Sequence, residues 1–321
     1  GKKMSKSAGN VIAPEEVINQ LGADVLRLWV AAEDYKDDIK ISDEILKRLA
    51  DAYFRIRNTY RFLLGNLYDF SPERDRIPYP QLQGIDRWAL HRLQKLIARV
   101  REAYDRFEFY VVYHTIQNFC AVEMSALYFD ILKDRLYTSS SKSLARRSAQ
   151  TVLYEILKSL TTLMAPILAF TTEEVWKHLP PEGGKAESVH LASFPEVKTE
   201  YLDETLEDDW ERIWEIRAVV TKALEEARKA KKIGHSLDAQ VHLYLPEKLY
   251  QFILPYEIDL PTLFIVSSVT LKPTKDGQEV RAEVFRAEGQ KCERCWSYDP
   301  SVGQHLDHST ICQKCLNAIQ R

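Results

Sequence analysis

Four cysteines near the C-terminus constrain this chain more than any other feature. They form two Cys-x-x-Cys pairs, Cys292 with Cys295 and Cys312 with Cys315, which sixteen residues separate. Each pair can turn two sulfur atoms toward one point, so that the two pairs supply four thiolates to one tetrahedral Zn²⁺ ion. Four protein ligands leave no position for water, and we therefore expect a structural zinc ion. A redox dithiol is the alternative interpretation.

The segment that carries the cysteines also needs a metal for its stability. The residues from Gln290 onward bury too little apolar surface to fold alone, whereas zinc binding contributes roughly 10 kcal/mol or more to modules of this kind. His305 and His308 lie between the two pairs and are competing candidates as ligands. Histidines in loops are more often ordinary surface residues, so the four cysteines remain the predicted ligand set.

Composition limits the partners of the chain. Its 321 residues include 44 Lys and Arg against 47 Asp and Glu, a formal net charge of −3, so that any RNA site must be a local basic patch. Clustering of four of the five cysteines is unlike a disulfide framework and favours a reducing compartment. Apolar runs such as 163–170 are too short to cross a bilayer. We expect a cytoplasmic protein without a membrane segment.

Apolar periodicity predicts a mainly helical fold. Residues recur at three- and four-residue steps from Ile45 to Leu67, which marks one long amphipathic helix. Further helices are predicted near 86–105, 110–136, 143–165 and 173–179, and together they form a bundle. Thr171 and Glu174 form a capping-box pattern, S/T-x-x-E, that would open the last of them.

The regions on either side of the bundle have a different pattern. Before it, we expect short helices after Pro14 and Ala23 and a short strand at 39–41. After it, a charged helix over 206–232 precedes alternating or β-branched stretches at 241–245, 264–271 and 280–285, which predict a small α/β module. The expected domains are a small α/β unit, the helical bundle, the α/β module and a zinc finger, over residues 1–42, 43–204, 205–288 and 289–321. The family resemblance described below implies that the first is a remnant of a catalytic domain and that the third is a junction domain.

A short basic loop begins the chain. Lys3-Met4-Ser5-Lys6-Ser7 carries two ammonium groups and two hydroxyls, and glycines at positions 1 and 9 flank it. Mobile ammonium groups can stabilise the negative charge that develops when a reaction expels pyrophosphate. The alternative is a solvated surface loop without a ligand.

Several segments resemble one family, in collinear order over essentially the whole chain. Residues 1–10 and 22–29 are similar to the second signature of class I aminoacyl-tRNA synthetases and the segment after it. Residues 42–47 and 55–59 resemble the opening helix of the anticodon-binding domain in isoleucyl-tRNA synthetases, and 232–239 resembles a junction in the isoleucine and valine enzymes. The two cysteine pairs, with Arg294 and Trp296, resemble the zinc finger of bacterial isoleucyl-tRNA synthetases.

This resemblance implies a reaction, its substrates and its site residues. The full-length enzyme would attach isoleucine to tRNA(Ile) with ATP and Mg²⁺. Lys3 and Lys6 would bind the ATP phosphates, with Lys6 the stronger candidate, while Met4, Ser5 and Ser7 would complete the loop. The bundle would bind the anticodon region, the junction and finger would extend that contact, and the enzyme would be a monomer that binds no DNA.

Candidate RNA contacts come from the residues themselves. Arg48 and Arg55 share one side of the first long helix, and Arg57 and Arg61 share another. Further basic clusters lie at 146–147 and at Lys231 and Lys232. Arg294 and Trp296 flank the first cysteine pair, where a tryptophan can stack on an unpaired base. The alternatives are solvated helix faces and a tryptophan that covers the finger's own core.

Other functions stay open on sequence alone. A stand-alone RNA-binding module, and the corresponding part of a valyl-tRNA synthetase, would share several of these features. A DNA-repair glycosylase has a similar finger, but it needs an N-terminal proline nucleophile, and Gly1-Lys2 supplies none. Because the chain has no initiator Met and begins with a functional loop, we expect a fragment, and the resemblance implies the C-terminal portion of a longer enzyme.

One prediction concerns catalysis by this polypeptide alone. No His-x-Gly-His sequence, the first class I signature, occurs in the 321 residues, so we expect no isoleucyl-adenylate formation. Exchange of labelled pyrophosphate into ATP in the presence of isoleucine measures this reaction. A rate above that of the Lys6→Ala variant would contradict the prediction.

Overall fold

A computed structural model describes residues 3–275 and 277–320. The chain divides into two compact units. One unit contains the residues up to Asp130 together with Arg147–Leu202, and the other contains Ile131–Arg146 and the residues from Asp203 onward. The finer division into four domains stays a prediction. Within the described ranges, no helix has the length and apolar character needed to cross a membrane.

The first unit is helical, which confirms the predicted fold class. The helices that lie wholly or partly in this unit are α1 (Pro14–Leu21), α2 (Ala23–Ala32), α3 (Asp43–Asn66), α4 (Pro72–Asp75), α5 (Gly84–Asp105), α6 (Phe109–Asn118), α7 (Phe129–Thr138), α8 (Leu144–Met164) and α9 (Ala169–His178). A continuous helix runs from α6 to α7, and the turns between them, Phe119–Tyr128, are π-helical.

The long helix α3 shows how the sequence determines the bundle. Ser42 caps it, since its Oγ accepts a hydrogen bond from the amide of Ile45 at 3.2 Å, and Asp43 and Glu44 follow in the first turn. Most of the predicted apolar stripe is buried, including Tyr60, whose hydroxyl donates to the carbonyl of Leu160 at 3.0 Å. Apolar burial and a satisfied polar tip together fix α3 against α8.

Helix α2 is joined to the start of α9 by hydrogen bonds in both directions. The buried carboxylate of Asp24 accepts from the amides of Phe170 and Thr171 at 3.3 and 2.7 Å and from the Thr171 hydroxyl at 2.6 Å. Arg27 donates to the carbonyls of Ile167 and Pro166 at 2.9 and 2.6 Å. Segment 23–32 is therefore held on the bundle by one carboxylate and one guanidinium.

This arrangement corrects the predicted capping box. Thr171 does not cap α9, because the helix already begins at Ala169 and Leu168, in the cap position, offers no side-chain oxygen. The free amides of the first turn are instead satisfied by Asp24. Thr171 donates to that carboxylate and accepts from the hydroxyl of Tyr53 at 2.9 Å.

The predicted strand at 39–41 is wrong. Residues 38–42, which the structure describes completely, contain neither helix nor strand. The carbonyl of Lys40 accepts a hydrogen bond from the indole of Trp29 at 3.2 Å instead of joining a strand ladder. Residues 3–42 accordingly contribute helices and turns to the fold.

The second unit combines one long helix with two small sheets. The tip of the α7–α8 hairpin, Ile131–Arg146, belongs to it. Its further elements are α10 (Glu204–Lys229), β1 (Ala239–Pro246), α11 (Glu247–Ile253), α12 (Leu260–Phe264), β2 (Ser268–Thr274), β3 (Arg281–Arg286), β4 (Gln290–Lys291), β5 (Tyr298–Asp299) and α13 (Gln313–Ile319).

The predicted α/β module is a three-stranded sheet with β1 in the centre. β1 pairs in parallel with β2 and antiparallel with β3. Alternate residues of β1, namely Val241, Leu243 and Leu245, are fully buried, and α10 and α11 pack against this strand. The predicted strand over 264–271 is correct only in its second half, because Phe264 ends α12 and Ile265 adopts a left-handed conformation before β2 begins.

The Asp24 interaction predicts a clear loss of stability. In Asp24→Ala the amides of Phe170 and Thr171 lose their acceptor in a buried site, which costs about 1–3 kcal/mol for such a group. Urea unfolding followed by far-ultraviolet circular dichroism measures the change. Asp38→Ala is the control, because it removes an exposed carboxylate from the residues that follow α2. Equal unfolding midpoints for the two variants would contradict the proposed role of Asp24.

Candidate functional site

The C-terminal finger is built from tight turns that leave little choice of residue. Gly289, at φ +89°, lies against the backbone of Asp299, where a Cβ atom would approach to 2.4 Å, so only glycine fits. The paired strands β4 and β5 follow. Cys292 begins the first turn, and its carbonyl accepts from the amide of Trp296 at 2.9 Å. Cys312 precedes α13, which carries Cys315 in its first turn.

These turns bring the four predicted ligands together. All four Sγ atoms lie within 4.8 Å of one another, and those of Cys295 and Cys312 are 3.7 Å apart. Sulfur atoms on a tetrahedral Zn²⁺ with bonds of 2.3 Å would be about 3.8 Å apart. The thiols are free, and all but that of Cys295 are buried. The cluster therefore fits a four-thiolate zinc site.

Hydrogen bonds between the thiols, together with burial, shift the pKa values of three cysteines. The thiol of Cys315 donates a hydrogen bond that lowers the pKa of Cys295 to about 5. The same interaction raises the pKa of Cys315, while burial raises that of Cys312 to about 11. One thiolate is thus stabilised by its protonated neighbours. A bound metal ion would replace these protons with its own positive charge.

The histidines between the pairs lie outside the thiol cluster. In the described part of the chain, only the four cysteines gather at this point. His305 instead contacts the side-chain oxygen of Gln313 through Nε2 at 2.6 Å. The geometry therefore favours the ligand set of four cysteines over a mixed set.

Two cations attach the finger to the hairpin tip. The guanidinium of Arg294 donates to the carbonyl of Thr138, at the end of α7. Lys314 forms an ion pair with Asp134 at 2.5 Å. Arg294 thus has a partner within the protein, and its RNA contact stays a prediction. Sequence reasoning missed Lys314 and Asp134, because no local pattern relates residues 180 positions apart.

Trp296 is exposed in the first turn of the finger. Its side chain retains 58% of its accessible surface, and its φ of +67° is a left-handed conformation. The ammonium group of Lys291 lies 5.9 Å from the centre of the indole ring. Trp296 therefore does not cover the core of the finger, and its aromatic face is accessible beside a positive charge.

The basic loop has a defined backbone with free lysine side chains. Asn10 closes the loop by donating to the carbonyl of Lys3 at 3.2 Å and accepting from the amide of Ser5 at 2.9 Å. The Ser5 hydroxyl caps a 3₁₀ turn over Lys6–Ala8 and contacts Ser7 Oγ at 3.2 Å. Sequence reasoning missed this role of Asn10, although asparagine side chains often hydrogen-bond the backbone of a neighbouring turn.

Both lysines of the loop are available to a ligand. Lys3 and Lys6 are exposed, as is Met4. Among the residues that the structure describes, neither ammonium group forms an ion pair or a hydrogen bond. The loop therefore presents two unpaired positive charges on a backbone that its own side chains hold.

The predicted arginines of α3 are all exposed. Arg48 pairs with Glu44 at 3.7 Å. In the part of the chain that the structure covers, Arg55, Arg57 and Arg61 form no ion pair. The aromatic ring of Phe54 is also exposed on this helix. Helix α3 thus offers unpaired cations on two of its sides.

A second basic cluster is structural. Arg146 and Arg147 are buried, which excludes them as an accessible phosphate site. Arg146 donates to the carbonyls of Leu136 and Ser141, each at 3.2 Å. Arg147 donates to the carbonyl of Asp69 at 3.0 Å and to Gln150 at 2.7 Å. The expectation of RNA contact at 146–147 is therefore wrong.

Lys231 and Lys232 form the cap that ends α10. Their amides donate to the carbonyls of Arg228 and Ala227 at 3.0 Å each, the two bonds of a Schellman motif. Lys231 has φ +56° at the position where glycine is usual, which costs about 1 kcal/mol for another residue. Both side chains are exposed.

Three sequence families match the chain. Residues 1–42 match the class I tRNA synthetases for I, L, M and V. Residues 86–243 match the anticodon-binding domain of tRNA ligase, and residues 289–318 match a zinc finger found in FPG and IleRS. The last match covers all four clustered cysteines and, with the geometry above, supports a zinc site.

Individual relatives are similar over the full length of the chain. Isoleucine–tRNA ligases of Moorella thermoacetica and Geobacter sulfurreducens are each 52% identical over 100% of this chain, which corresponds to 36% and 35% of their own lengths. That of Carboxydothermus hydrogenoformans is 53% identical over 99% of this chain and 35% of its own. The chain thus spans about a third of the length of these curated relatives.

A solved structure shows a more distant similarity. The ternary complex of Agrobacterium radiobacter K84 agnB2 LeuRS with tRNA and LeuAMS matches 63% of this chain and 23% of that one, with a TM-score of 0.44 and 20% identity. The relatives that match the whole chain are all isoleucine–tRNA ligases in the three examples above. The chain belongs to the isoleucine–tRNA ligase family of class I tRNA synthetases, in the region that extends from the class I segment to the zinc finger.

Proposed function

We propose that this chain is the part of an isoleucine–tRNA ligase that binds tRNA(Ile) and supplies the basic loop to the ATP site. The complete enzyme attaches isoleucine to tRNA(Ile) at the expense of ATP, as a cytoplasmic monomer. The observation that carries the proposal is the identity of about 52% to isoleucine–tRNA ligases along the whole chain. The free lysines, exposed arginines and thiol cluster are the chemistry that this function requires.

In this proposal the loop stabilises charge during adenylate formation. Lys3 and Lys6 are unpaired and exposed on a backbone that Asn10 closes, so their ammonium groups can bind the ATP phosphates. Negative charge grows on the departing pyrophosphate, and cations placed beside it lower the barrier. Ser5 and Ser7 hold the turn that carries Lys6. Mg²⁺, which accompanies ATP, would neutralise further phosphate charge.

The proposed tRNA surface combines phosphate and base contacts. Arg48, Arg55, Arg57 and Arg61 are exposed on α3, the last three without an ion pair among the described residues, and guanidinium groups bind backbone phosphates irrespective of sequence. Trp296, with Lys291 beside it, suits stacking on an unpaired base of a loop. In this arrangement Arg294 supports the tryptophan by fixing the finger to the hairpin tip.

The proposed zinc ion is structural. Cys292, Cys295, Cys312 and Cys315 would occupy its four positions, and zinc would supply the stability that the small finger core lacks. Besides the cysteines, that core contains chiefly Val302 and Ile311. A buried apolar set of this size contributes little, whereas zinc binding contributes about 10 kcal/mol to comparable modules.

The relatives favour this function over the alternatives. The similar proteins are named as ligases for isoleucine, and the class I and anticodon-binding matches precede the finger along the chain. A valine enzyme, a stand-alone RNA-binding module and a DNA glycosylase each explain a smaller part of this pattern.

Removal of zinc should unfold the finger selectively. Chelation removes the ion that holds the turns of the finger around its small apolar core, so we expect the amide resonances of residues 290–320 to collapse into the disordered range. Resonances of α3 and α8 should persist, because apolar side chains hold those helices. A two-dimensional ¹H–¹⁵N spectrum before and after chelation tests this prediction.

The matched control uses the fifth cysteine. Cys120 is buried in the π-helical segment, so Cys120→Ala should retain one zinc ion per chain while Cys312→Ser loses it. An unchanged spectrum for the finger after complete metal removal would contradict the structural role of zinc.

Binding of tRNA(Ile) should depend steeply on salt. Each phosphate contact contributes about 0.7–0.9 to the slope of log K against log salt. Arg57→Ala combined with Arg61→Ala should therefore reduce the slope by about 1.5. Filter binding or fluorescence anisotropy between 50 and 300 mM KCl, roughly the range in which such effects are measured, gives the slope.

The control for this experiment is Arg99→Ala. Arg99 is equally exposed, but its guanidinium is paired with Glu102 at 3.2 Å, so we expect a small change in slope. An absence of tRNA binding at low salt would refute the proposed function, and an unaltered slope in the double variant would exclude α3 from the RNA surface.

A further inference from the structure

An open cavity of about 450 Å³ lies in the second unit where α10 ends. We call it the α10 cavity. Its charged lining consists of four cations, Arg228, Lys231, Lys232 and Arg286, and one carboxylate, that of Asp238. Three of the cations come from the end of α10, while Arg286 comes from the end of β3. The fold thus gathers an excess of three positive charges in a chain whose overall charge is −3.

The carboxylate does not neutralise these cations. Oδ2 of Asp238 accepts hydrogen bonds from the amides of Gly234 and His235 at 3.0 and 2.7 Å. The guanidinium of Arg228 forms an ion pair with the carboxylate of Glu225 at 3.4 Å, and both side chains are exposed. Within residues 3–275 and 277–320, Lys231, Lys232 and Arg286 form no ion pair. The excess positive charge in the cavity is therefore free to attract an anion.

The positive charge of Lys231 is not needed to form the end of α10. Lys231 occupies the left-handed position of the Schellman motif, where glycine would be free of strain. Phe107 and Ile265 occupy the same position after α5 and α12, so the conformation alone assigns no ligand. What distinguishes Lys231 is that its position adds a cation to the cavity.

We propose that the α10 cavity binds a backbone phosphate of RNA. The volume exceeds that of a phosphate group, and an arginine fork next to lysine ammonium groups is the donor set that phosphodiester oxygens prefer. The cavity has no aromatic lining, so it would read charge rather than a base. A helix C-terminus by itself disfavours anions, but Schellman hydrogen bonds occupy two of the last carbonyls of α10.

This inference rests on the proposed function and deepens it, because it names a phosphate site and adds Arg228 and Arg286 to the RNA surface. The anion could also be a free phosphate or pyrophosphate. The open shape of the cavity, whose lining includes the predicted RNA contacts Lys231 and Lys232, favours a polynucleotide backbone.

The decisive variant is Lys231→Gly in the 321-residue chain. It removes one cation and also relieves the left-handed strain, so stability and binding should change in opposite directions. We expect an unchanged or higher thermal unfolding midpoint. We also expect about fivefold weaker binding at 0.1 M KCl and a salt slope lower by about 0.9, the values for the loss of one phosphate contact.

Two further features make the test specific. Transcripts of tRNA(Ile) and of one unrelated tRNA should be affected alike, because the site reads a phosphate and not a base. Arg286→Ala should give the same losses from a different element of the fold. Lys222→Ala removes an exposed lysine of α10 outside the cavity and should leave affinity and slope unchanged.

The outcomes separate the two proposals. If the wild-type chain binds tRNA with a steep salt slope and both cavity variants keep that slope, the cavity proposal is wrong and the proposed function stands. If the wild-type chain binds neither tRNA at low salt, the proposed function fails and the RNA site with it. If inorganic pyrophosphate shifts the amide resonance of Gly234 in a manner that Lys231→Gly abolishes, while tRNA affinity is unaffected, the cavity binds free anions instead.

Discussion

The carboxylate of Asp24 is the contact on which the functional arrangement of the first unit depends. It lies buried at the start of α9 and accepts three hydrogen bonds there, while Arg27, one turn later on α2, donates to the carbonyls just before that helix. A buried carboxylate is tolerated only where its oxygens are satisfied. The pair therefore fixes both the position and the rotation of α2, from which the chain leads back to the basic loop.

Within its described residues, the finger is not stabilised by a buried carboxylate of this kind. Its apolar core is small against the entropy of ordering its turns, and in the proposed function a metal held by the thiol cluster supplies the difference. Orientation comes from polar contacts to the hairpin tip, the Arg294 guanidinium on the Thr138 carbonyl and the Lys314–Asp134 ion pair. Metal binding and anchoring are thus separate functions of neighbouring residues, which allows Trp296 to remain exposed.

How far the sequence predicts this structure depends on the range of the interactions involved. Periodic burial predicts α3 within two residues at each end, and the spacing of the cysteines predicts their cluster, because both patterns are local. The start of α9 was not predictable in this way, since its amides are satisfied by a residue 146 positions earlier in the chain. The strand expected at 39–41 fails for a related reason. A strand needs a partner, and the Lys40 carbonyl is taken by Trp29.

The basic residues illustrate the same limit at the candidate sites. Arg146 and Arg294 are candidate RNA-binding cations in the sequence, but each donates to a backbone carbonyl, as Arg27 does. A guanidinium has five donors and suits such carbonyls well, so an arginine can be structural without an acidic partner. Lysine offers a single point charge and fills this role less often. Within the described residues, no such carbonyl engages the cations of the basic loop, of α3 or of the α10 cavity, and in the functions proposed above their charge is available to phosphate.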